Sequence, residues 1–286
     1  MPEPVLAWYA ASARDLPWRR PECSPWGVFV SEIMAQQTPL SRVEPLWREW
    51  MERWPTPADL AAAAPGEAVR HWGRLGYPRW ALRLHAAAVA MVRDHDGQVP
   101  DTEVGLLALP GVGAYTAAAV AAFAFGLRTT VVDTNVRRVL VRAVVGDEQA
   151  APTLTARERA LAESAVPSDP DTSAVWNVAV MELGALVCTA RSPRCGDCPI
   201  ADRCAWVAAG RPAYDGPTRR GQTYEGTDRQ VRGRILALLR HTPKTLSRKD
   251  FDACAADRPT VDRCLDGLVS DGLVEPLPRS RFRLPA

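Results

Sequence analysis

Residues 109–117 read LPGVGAYTA, and this stretch carries the most direct information on the fold. It lies between a segment that begins near Asp101 and an apolar run that ends at Gly126. Gly111 and Gly113 allow the backbone to turn tightly, and the N–H groups at the start of the second helix favour an anion. The stretch therefore predicts a helix–hairpin–helix, a motif that holds a DNA phosphate without reading base sequence. A helical turn also uses Pro-Gly without any function, so the hairpin alone does not establish DNA binding.

The regions around the hairpin are predicted to be helical. Over the first 210 residues, segments rich in Ala, Leu, Val and Arg alternate with Pro- and Gly-containing turns, and strand signals are weak. Residues 210–227 (GRPAYDGPTRRGQTYEGT) have the composition of a linker. Beyond them the sequence predicts a helix over 228–240 and a two-stranded wing within 273–284. Ser247 and Thr260 are expected to be helix N-caps. This order suggests a small winged-helix-like module, which could bind DNA or pack against a neighbour.

Length and composition are those of an ordinary globular protein. The 286 residues suggest about two domains, and apolar residues make up 47% of them. The longest nearly uncharged apolar stretch, residues 114–127, is shorter than the ~20 residues that a membrane-spanning helix needs. The N-terminus lacks the basic start and apolar core of a signal peptide. We therefore expect a cytoplasmic protein that has no membrane partner.

The basic residues are almost all arginines. Only Lys244 and Lys249 are lysines among the 35 basic residues. Guanidinium groups suit phosphate contacts, but they stay protonated and cannot form a Schiff base. Lysine-dependent covalent catalysis is thus excluded from the first 243 residues.

Four cysteines cluster within 17 residues as C-x6-C-x2-C-x5-C, namely Cys188, Cys195, Cys198 and Cys204. An odd total of seven cysteines and the absence of a secretion signal argue against a disulfide framework and favour a metal site. A structural zinc site usually pairs two C-x2-C knuckles, whereas a single compact loop is better suited to a [4Fe–4S] cluster. Zinc remains the alternative. The cluster could position the loop on DNA or transfer electrons.

Two carboxylates are candidates for acid–base or charge-stabilising roles. Asp133, in VVDTNVRRVL, has the setting of a helix N-cap and could also be catalytic. Glu32, in PWGVFVSEIMAQQT, is the only charged residue between Glu22 and Arg42. An apolar setting would raise the pKa of Glu32, as a general acid near neutral pH requires. The alternative is a solvent-facing glutamate on an amphipathic helix.

Taken together, the motifs SEIMAQQT, LGY, LPGVGAYTA, DTNVRRVL and the cysteine loop resemble those of a known family. The chain is similar to the helix–hairpin–helix DNA glycosylases with an iron–sulfur cluster, and within them to the MutY-type adenine DNA glycosylases. The resemblance covers about residues 5–210 and implies an all-α, two-lobed fold. It implies the following division: an N-terminal helix (1–22) belonging to the cluster lobe, a six-helix barrel lobe with the hairpin (23–130), the cluster lobe (131–209), the linker (210–227) and the winged-helix-like module (228–286).

The resemblance also implies the reaction and the roles of individual residues. The enzyme would remove adenine from mispairs with 8-oxoguanine or guanine in double-stranded DNA, acting as a monomer on a base flipped out of the stack. Glu32 would protonate the leaving adenine, and Asp133 would stabilise or capture the oxocarbenium ion of the sugar. Asn135 and Tyr115 would assist them. The residues implied to contact DNA or the base are Trp18, Arg19, Gln36, Gln37, Tyr77, Gly111, Gly113 and Thr116, of which Gln37 and Tyr77 would wedge the duplex.

Several features limit or qualify this resemblance. The lyase-competent relatives carry a Schiff-base lysine where this chain has Tyr115, so we expect a monofunctional enzyme that leaves an abasic site. Typical members have a Nudix-like C-terminal domain, whereas about sixty residues follow the linker here, and Ala35 and Pro78 replace bulkier residues. The opposite-base preference is therefore open. The alternatives are a thymine or uracil mismatch glycosylase and a catalytically silent, cluster-bearing DNA-binding protein.

Overall fold

The structure, a computed structural model, describes residues 2–216 and 224–286. The predicted linker therefore lies partly outside the described residues. The α-helices are, in chain order, α1 (Pro2–Ser12), α2 (Pro25–Met34), α3 (Leu40–Arg53), α4 (Pro57–Ala62), α5 (Pro65–His71), α6 (Arg79–Asp94), α7 (Glu103–Ala108), α8 (Ala114–Phe125), α9 (Thr134–Leu140), α10 (Ala156–Ala165), α11 (Pro170–Leu186), α12 (Ala205–Ala208), α13 (Asp228–His241) and α14 (Arg258–Ser270). Shorter helical turns cover Pro17–Arg19, Val141–Val145, Cys195–Asp197, Ala201–Arg203 and Arg248–Cys254. The strands are β1 (Leu246–Ser247), β2 (Glu275–Leu277) and β3 (Arg281–Arg283).

The expected mostly helical fold is confirmed. Within the described residues, strands occur only after residue 245. The predicted helix–hairpin–helix is present as α7, the hairpin at residues 109–113, and α8. No helix of the described residues is long and apolar enough to cross a membrane.

The chain divides into two units. The described part of unit 1 comprises residues 2–29, 100–108 and 112–216, and that of unit 2 comprises residues 30–99, 109–111 and 224–286. Helix α8 falls in unit 1, whereas the division implied by the resemblance placed it with residues 23–130.

The connection after α8 gives the physical reason for this grouping. Asn177 of α11 accepts a hydrogen bond from Val131 N at 3.2 Å and donates one to Thr129 O at 3.0 Å. Thr129 Oγ1 in turn donates to Ala118 O of α8 at 2.8 Å. Because Asn177 is almost fully buried, its side chain ties this connection to α11 rather than to water.

Unit 1 is built around α9 and α11. The apolar side chains of Val136, Val139 and Leu140 on α9 pack with Leu183 of α11 in one buried cluster. Val5 of α1 belongs to the same cluster. The N-terminal helix is thereby held in the unit that carries the cysteine loop.

In unit 2, α3 to α6 surround a cluster of tryptophans. The Trp50 ring meets those of Trp54 and Trp72 edge-on, at centroid distances of 4.8 and 5.7 Å. Trp50 Nε1 also donates to His71 O at 2.9 Å. Edge-to-face aromatic packing with a satisfied indole N–H fixes the end of α5 against α3.

We call residues 228–286 the C-terminal module. It contains a helix, a strand, two helical segments and two further strands, and its antiparallel sheet has the order β1-β3-β2. The predicted wing is confirmed as β2 and β3. Strand β1 was not predicted. Ser247 is an N-cap as expected, but the expectation for Thr260 was wrong, because Asp257 caps α14 by accepting from Thr260 N at 2.8 Å.

Candidate active site and cluster loop

Asp133 lies at the N-terminus of α9 and is held by two hydrogen bonds. Its Oδ1 accepts from Val136 N at 2.7 Å, which confirms the predicted N-cap, and its Oδ2 accepts from Asn135 Nδ2 at 2.7 Å. Burial raises the pKa of Asp133, and these two hydrogen bonds act in the opposite direction. The carboxylate is therefore oriented and partly desolvated at once.

Asn135 is itself held by Arg138, a residue that the sequence analysis did not single out. Arg138 Nη2 donates to Asn135 Oδ1 at 2.6 Å and to Gly184 O at 2.7 Å, and its Nε donates to Cys188 O at 2.7 Å. A continuous set of hydrogen bonds thus runs from Asp133 to the backbone of the first clustered cysteine. The available signal was the Arg pair within DTNVRRVL.

Gly184 is a second residue that sequence reasoning missed. A Cβ atom placed on Gly184 would lie 2.7 Å from Asn135 Cβ and 2.9 Å from Asn135 O. Helix α11 can therefore approach α9 this closely only because residue 184 has no side chain. A lone glycine inside an apolar helix was the available signal.

The four clustered cysteines line one cavity. Cys188, Cys195, Cys198 and Cys204 surround it together with Arg142 and Trp206. Arg142 is 1% exposed, donates to Cys188 Sγ at 3.4 Å and to Thr189 O at 2.7 Å, and stacks on the Trp206 ring. The sequence pattern alone did not identify this buried arginine, which braces the loop from inside.

The geometry of these donors fits a polynuclear cluster better than a single metal ion. In residues 2–216 and 224–286, no three His, Cys, Asp or Glu side chains converge as they would around one ion. A tetrahedral zinc with Zn–S bonds of ~2.3 Å would bring its sulfurs to about 3.8 Å from one another. Four thiols spread around a common cavity suit a [4Fe–4S] cluster, which is held by loops that supply four cysteine thiolates.

Near the N-terminus of unit 1, an ion-pair network surrounds Glu182. Its carboxylate, 1% exposed, accepts from Arg14 at 2.7 Å and from Arg19 at 2.8 Å. Burial would raise the pKa of Glu182, but the hydrogen bonds from both arginines prevail and lower it to about 2. Arg19, which the resemblance implies to contact DNA or the base, is thus engaged with Glu182. A single glutamate within the apolar helix α11 was the signal for this network.

The other expected site residues of unit 1 are mostly shielded from solvent. Trp18 is 8% exposed and Thr116 is 2% exposed. Tyr115 is partly buried and packs against the cluster formed by Ala118, Ala119, Ala122 and Val131. A DNA contact by Thr116 would therefore involve its backbone at the start of α8 rather than its side chain.

The remaining site residues belong to unit 2, except Gly113, which precedes α8 in unit 1. Glu32 on α2 is 8% exposed, so the solvent-facing alternative for this residue was wrong. Gln37 and Tyr77 both have left-handed backbones, with φ of 57° and 52°, and Tyr77 is 51% exposed. Gly111 of the hairpin has a φ of 79°, and a Cβ there would lie 2.8 Å from Arg83 Cβ. Gln36 follows α2 and is partly buried.

Comparison with known proteins agrees with this arrangement. Residues 30–164 match the HhH-GPD superfamily of base excision DNA repair proteins, and residues 188–204 match the iron–sulfur binding domain of endonuclease III. The solved structure of a thermostable thymine-DNA glycosylase superposes with a TM-score of 0.64 at 27% identity, covering 73% of this chain and 95% of that one. An endonuclease III–DNA complex shares the fold with a TM-score of 0.62 at 22% identity, covering 74% and 95%. Fold and cysteine loop thus define the class: a helix–hairpin–helix base excision repair protein with a [4Fe–4S] cluster.

More similar relatives narrow the family. Adenine DNA glycosylases of Mycobacterium tuberculosis and Mycolicibacterium smegmatis are each 52% identical, covering 98% and 99% of this chain and 92% and 95% of theirs. The chain belongs to the adenine DNA glycosylase family. The human adenine DNA glycosylase is 41% identical over 70% of this chain but only 38% of its own. The match to the two mycobacterial relatives thus extends over nearly the whole of this chain.

Proposed function

We propose that the protein removes adenine from mispairs in double-stranded DNA by hydrolysing the N-glycosidic bond, and that it leaves an abasic site. The observation that carries this proposal is the geometry of Asp133. The Asp133 carboxylate is held by Asn135 and by the start of α9, and burial raises its pKa. The geometry suits a group that faces a developing positive charge.

Asp133 would act on the sugar. When the bond from C1′ to the base breaks, positive charge develops on the sugar ring as an oxocarbenium ion. A carboxylate oriented in advance and partly removed from water stabilises that charge more strongly than a hydrated one. The link through Asn135 and Arg138 to the cysteine loop keeps the carboxylate in place.

Glu32 would act on the base. Adenine leaves readily only when protonated, and a carboxylic acid within a water-poor helix face can supply that proton. The 8% exposure of Glu32 supports this role, because a general acid acts on a base that has been removed from bulk water. Tyr115 and Asn135 would complete the catalytic group.

Backbone groups of the hairpin would bind the DNA, and side chains would separate the bases at the mispair. Gly111 and Gly113 would bind a phosphate in the hairpin, and the exposed Tyr77 and Gln37 would fill the space beside the flipped base. Further contacts would come from Trp18, Arg19, Gln36 and Thr116. Cys188, Cys195, Cys198 and Cys204 would hold the [4Fe–4S] cluster, which when bound ties the loop and presents its arginines to the DNA backbone.

The proposed reaction ends at the abasic site, with the enzyme acting as a monomer. The chain has no lysine before residue 244, so neither α8 nor the rest of unit 1 offers a lysine amine for a Schiff base. Adenine opposite 8-oxoguanine or guanine is the expected substrate.

The test is single-turnover base release from duplexes that contain adenine opposite 8-oxoguanine, guanine or thymine, or thymine opposite guanine, each with and without alkali. We expect adenine release with strand scission only after alkali treatment. Glu32→Gln and Asp133→Asn should each lower the rate by at least about a hundredfold, within the range of general acid–base catalysis. Asp169→Asn is the matched control, because Asp169 caps α11 in the same way, accepting from Thr172 N at 2.9 Å.

Release of thymine instead of adenine would assign the pocket to a mismatch thymine glycosylase. The similarity of the fold to that of a solved thymine-DNA glycosylase favours this alternative. Binding without any release would leave a silent DNA-binding protein. Full activity of Glu32→Gln would remove the general-acid role.

A further inference from the structure

The C-terminal module contacts the segment that carries Tyr77. We call residues 72–78, between α5 and α6, the wedge loop. Both the module and the wedge loop lie in unit 2. The proposed reaction does not use the module. The module nevertheless contacts the chain on both sides of Tyr77, at the end of α5 with the start of the wedge loop and at the first turn of α6.

On the α5 side, the contact is a reciprocal pair of arginines. Arg240 of α13 donates through Nε to Val69 O at 2.9 Å and through Nη1 to Gly73 O. Arg70 of α5 donates back to Leu239 O at 3.3 Å and to Arg240 O. Val69 O lies at the end of α5, and Leu239 O and Arg240 O lie at the end of α13, where each helix leaves carbonyls without intrahelical partners. Gly73 O belongs to the wedge loop itself, so Arg240 holds the loop directly.

On the α6 side, the contact is made by the turn after α14. Asp271 Oδ1 lies 3.3 Å from Arg79 Nη1 in the first turn of α6, and its Oδ2 accepts from Arg232 of the module. A Cβ on the neighbouring Gly272 would lie 3.8 Å from Leu82 Cδ1, so this turn lies against α6. The residues just after Tyr77 are thus tied to the module as well.

The wedge loop needs such support because its backbone is unusual. Tyr77 has a φ of 52°, a conformation that a residue with a bulky side chain rarely adopts unless its surroundings enforce it. Within the loop, Trp72 Nε1 donates to Gly76 O at 3.0 Å, and Trp80 N donates to Tyr77 O at 2.9 Å. Tyr77 itself is 51% exposed, so packing of its ring does not hold it.

The ion pairs of the module argue against binding of DNA phosphates through α14. Arg258 pairs with Asp252 and Arg263 with Asp228, so the cations of α14 are balanced by carboxylates of the module itself. Helix α14 therefore presents no unpaired row of cations to phosphates, whereas the contacts with the wedge loop are specific.

We propose that the C-terminal module positions Tyr77 for opening the duplex, with Arg240 and Asp271 as positioning residues. This inference rests on the proposed function, in which Tyr77 wedges the mispair. Loss of either tie lets the wedge loop leave the geometry that places the Tyr77 ring beside the flipped base. Mispair opening then becomes less favourable although both catalytic carboxylates are untouched.

The test uses the full-length protein with its cluster and separates base opening from chemistry. The duplex carries 2-aminopurine, whose fluorescence reports unstacking, next to a 2′-fluoro-adenosine opposite 8-oxoguanine. The fluorine prevents cleavage by destabilising the oxocarbenium ion, so the signal reports base opening alone. The variants are Arg240→Ala, Arg240→Lys, Asp271→Ala, Tyr77→Ala and the double variant of Arg240→Ala with Tyr77→Ala. Arg234→Ala is the matched control, since Arg234 is also on α13 but donates to Cys254 O inside the module.

We expect Arg240→Ala to weaken the unstacking signal about tenfold, within the coupling seen for residues in contact, and Arg240→Lys to restore part of it. Asp271→Ala removes the ion pair with Arg79 and should act in the same direction more weakly. In the Tyr77→Ala background, Arg240→Ala should have almost no further effect.

Equal losses with and without Tyr77 would overturn the proposal, because they would show that the module acts on general stability. The same signal in Arg234→Ala as in Arg240→Ala, or unchanged unstacking in both Arg240→Ala and Asp271→Ala, would also overturn it. If the wild-type protein opens the mispair through Arg240 and Tyr77 but releases no adenine from the unmodified duplex, the proposed function fails while the positioning role holds.

Discussion

Gly184 controls how closely α11 approaches the hydrogen bonds that hold Asp133. We expect Gly184→Ala to displace Asn135, because the added methyl group would lie 2.7 Å from Asn135 Cβ. Overpacking of this kind costs about 1–3 kcal/mol and should outweigh the gain of up to about 1 kcal/mol in helix propensity. The rate of adenine release should fall at least tenfold, about 1.4 kcal/mol in the barrier. Thermal unfolding and single-turnover kinetics measure the two effects.

The control for this prediction is Gly196→Ala in the cysteine loop, where a Cβ would meet nothing within 4 Å. It should leave the rate of adenine release unchanged. A Gly184→Ala protein that is more stable and equally active would show that α11 and α9 can separate without moving Asp133.

Glu182 makes the free energy of unfolding of the protein depend on pH. Its pKa of about 2, against an ordinary 4.5, means that the ionised form is favoured in the folded state. The stabilisation, about 3 kcal/mol at neutral pH, is complete above pH ~4.5 and is lost as the pH falls through ~2. The advantage of the wild-type protein over Glu182→Gln should narrow by about 2 kcal/mol between pH 6 and pH 3.

Unfolding of both proteins at the two pH values measures this difference. Glu44→Gln is a control, because Glu44 pairs with Arg48 on the exposed side of α3, where ion pairs contribute little. A constant difference between wild type and Glu182→Gln from pH 6 to pH 3 would contradict the assignment of the low pKa to Glu182.

At the level of elements, the start of α14 contains two residues of types that cap helices, Asp257 and Thr260. Asp257→Ala should destabilise the protein by about 1 kcal/mol, because the Asp257 side chain accepts from Thr260 N. Thr260→Ala should have a much smaller effect, since only its backbone takes part in the cap. Equilibrium unfolding of the two variants distinguishes them, and a larger loss in Thr260→Ala would restore the sequence-based assignment.

Most elements followed from local signals. The hairpin of residues 109–113 and the cap at Asp133 were anticipated from turn and cap residues, and strands β2 and β3 fall within the wing predicted over residues 273–284. Strand β1 was not, because its two residues are defined only by pairing with Phe282 and Arg281, far along the chain. Thr260 was expected as the cap although Asp257 is the observed one, because both residue types cap helices and only the point where the chain enters the helix distinguishes them.

At the level of the whole molecule, the absence of lysine from the first 243 residues predicts the chemical outcome. A protein carrying Lys244→Arg and Lys249→Arg should release adenine at the wild-type rate, because neither residue belongs to the proposed site. Borohydride should trap no covalent complex with DNA in either protein, since no lysine belongs to the proposed site and the guanidinium groups found there cannot form a Schiff base. A Schiff-base-forming glycosylase serves as the positive control.

A trapped complex in the wild-type protein that disappears in the lysine-free protein would identify Lys244 or Lys249 as a nucleophile. That result would contradict the monofunctional mechanism.

Local properties of the sequence determined the fold class, the cysteine loop, the hairpin and the two candidate carboxylates, because residue type and short spacing carry that information. The tertiary structure alone decided which residues support them. Arg138 meets Gly184 across 46 residues, Arg14 meets Glu182 across 168, and Arg240 meets Gly73 across 167. No local pattern encodes such pairs, since each depends on how distant helices pack. The attachment of the C-terminal module to the wedge loop also depends on such a distant pair, so only the tertiary structure reveals it.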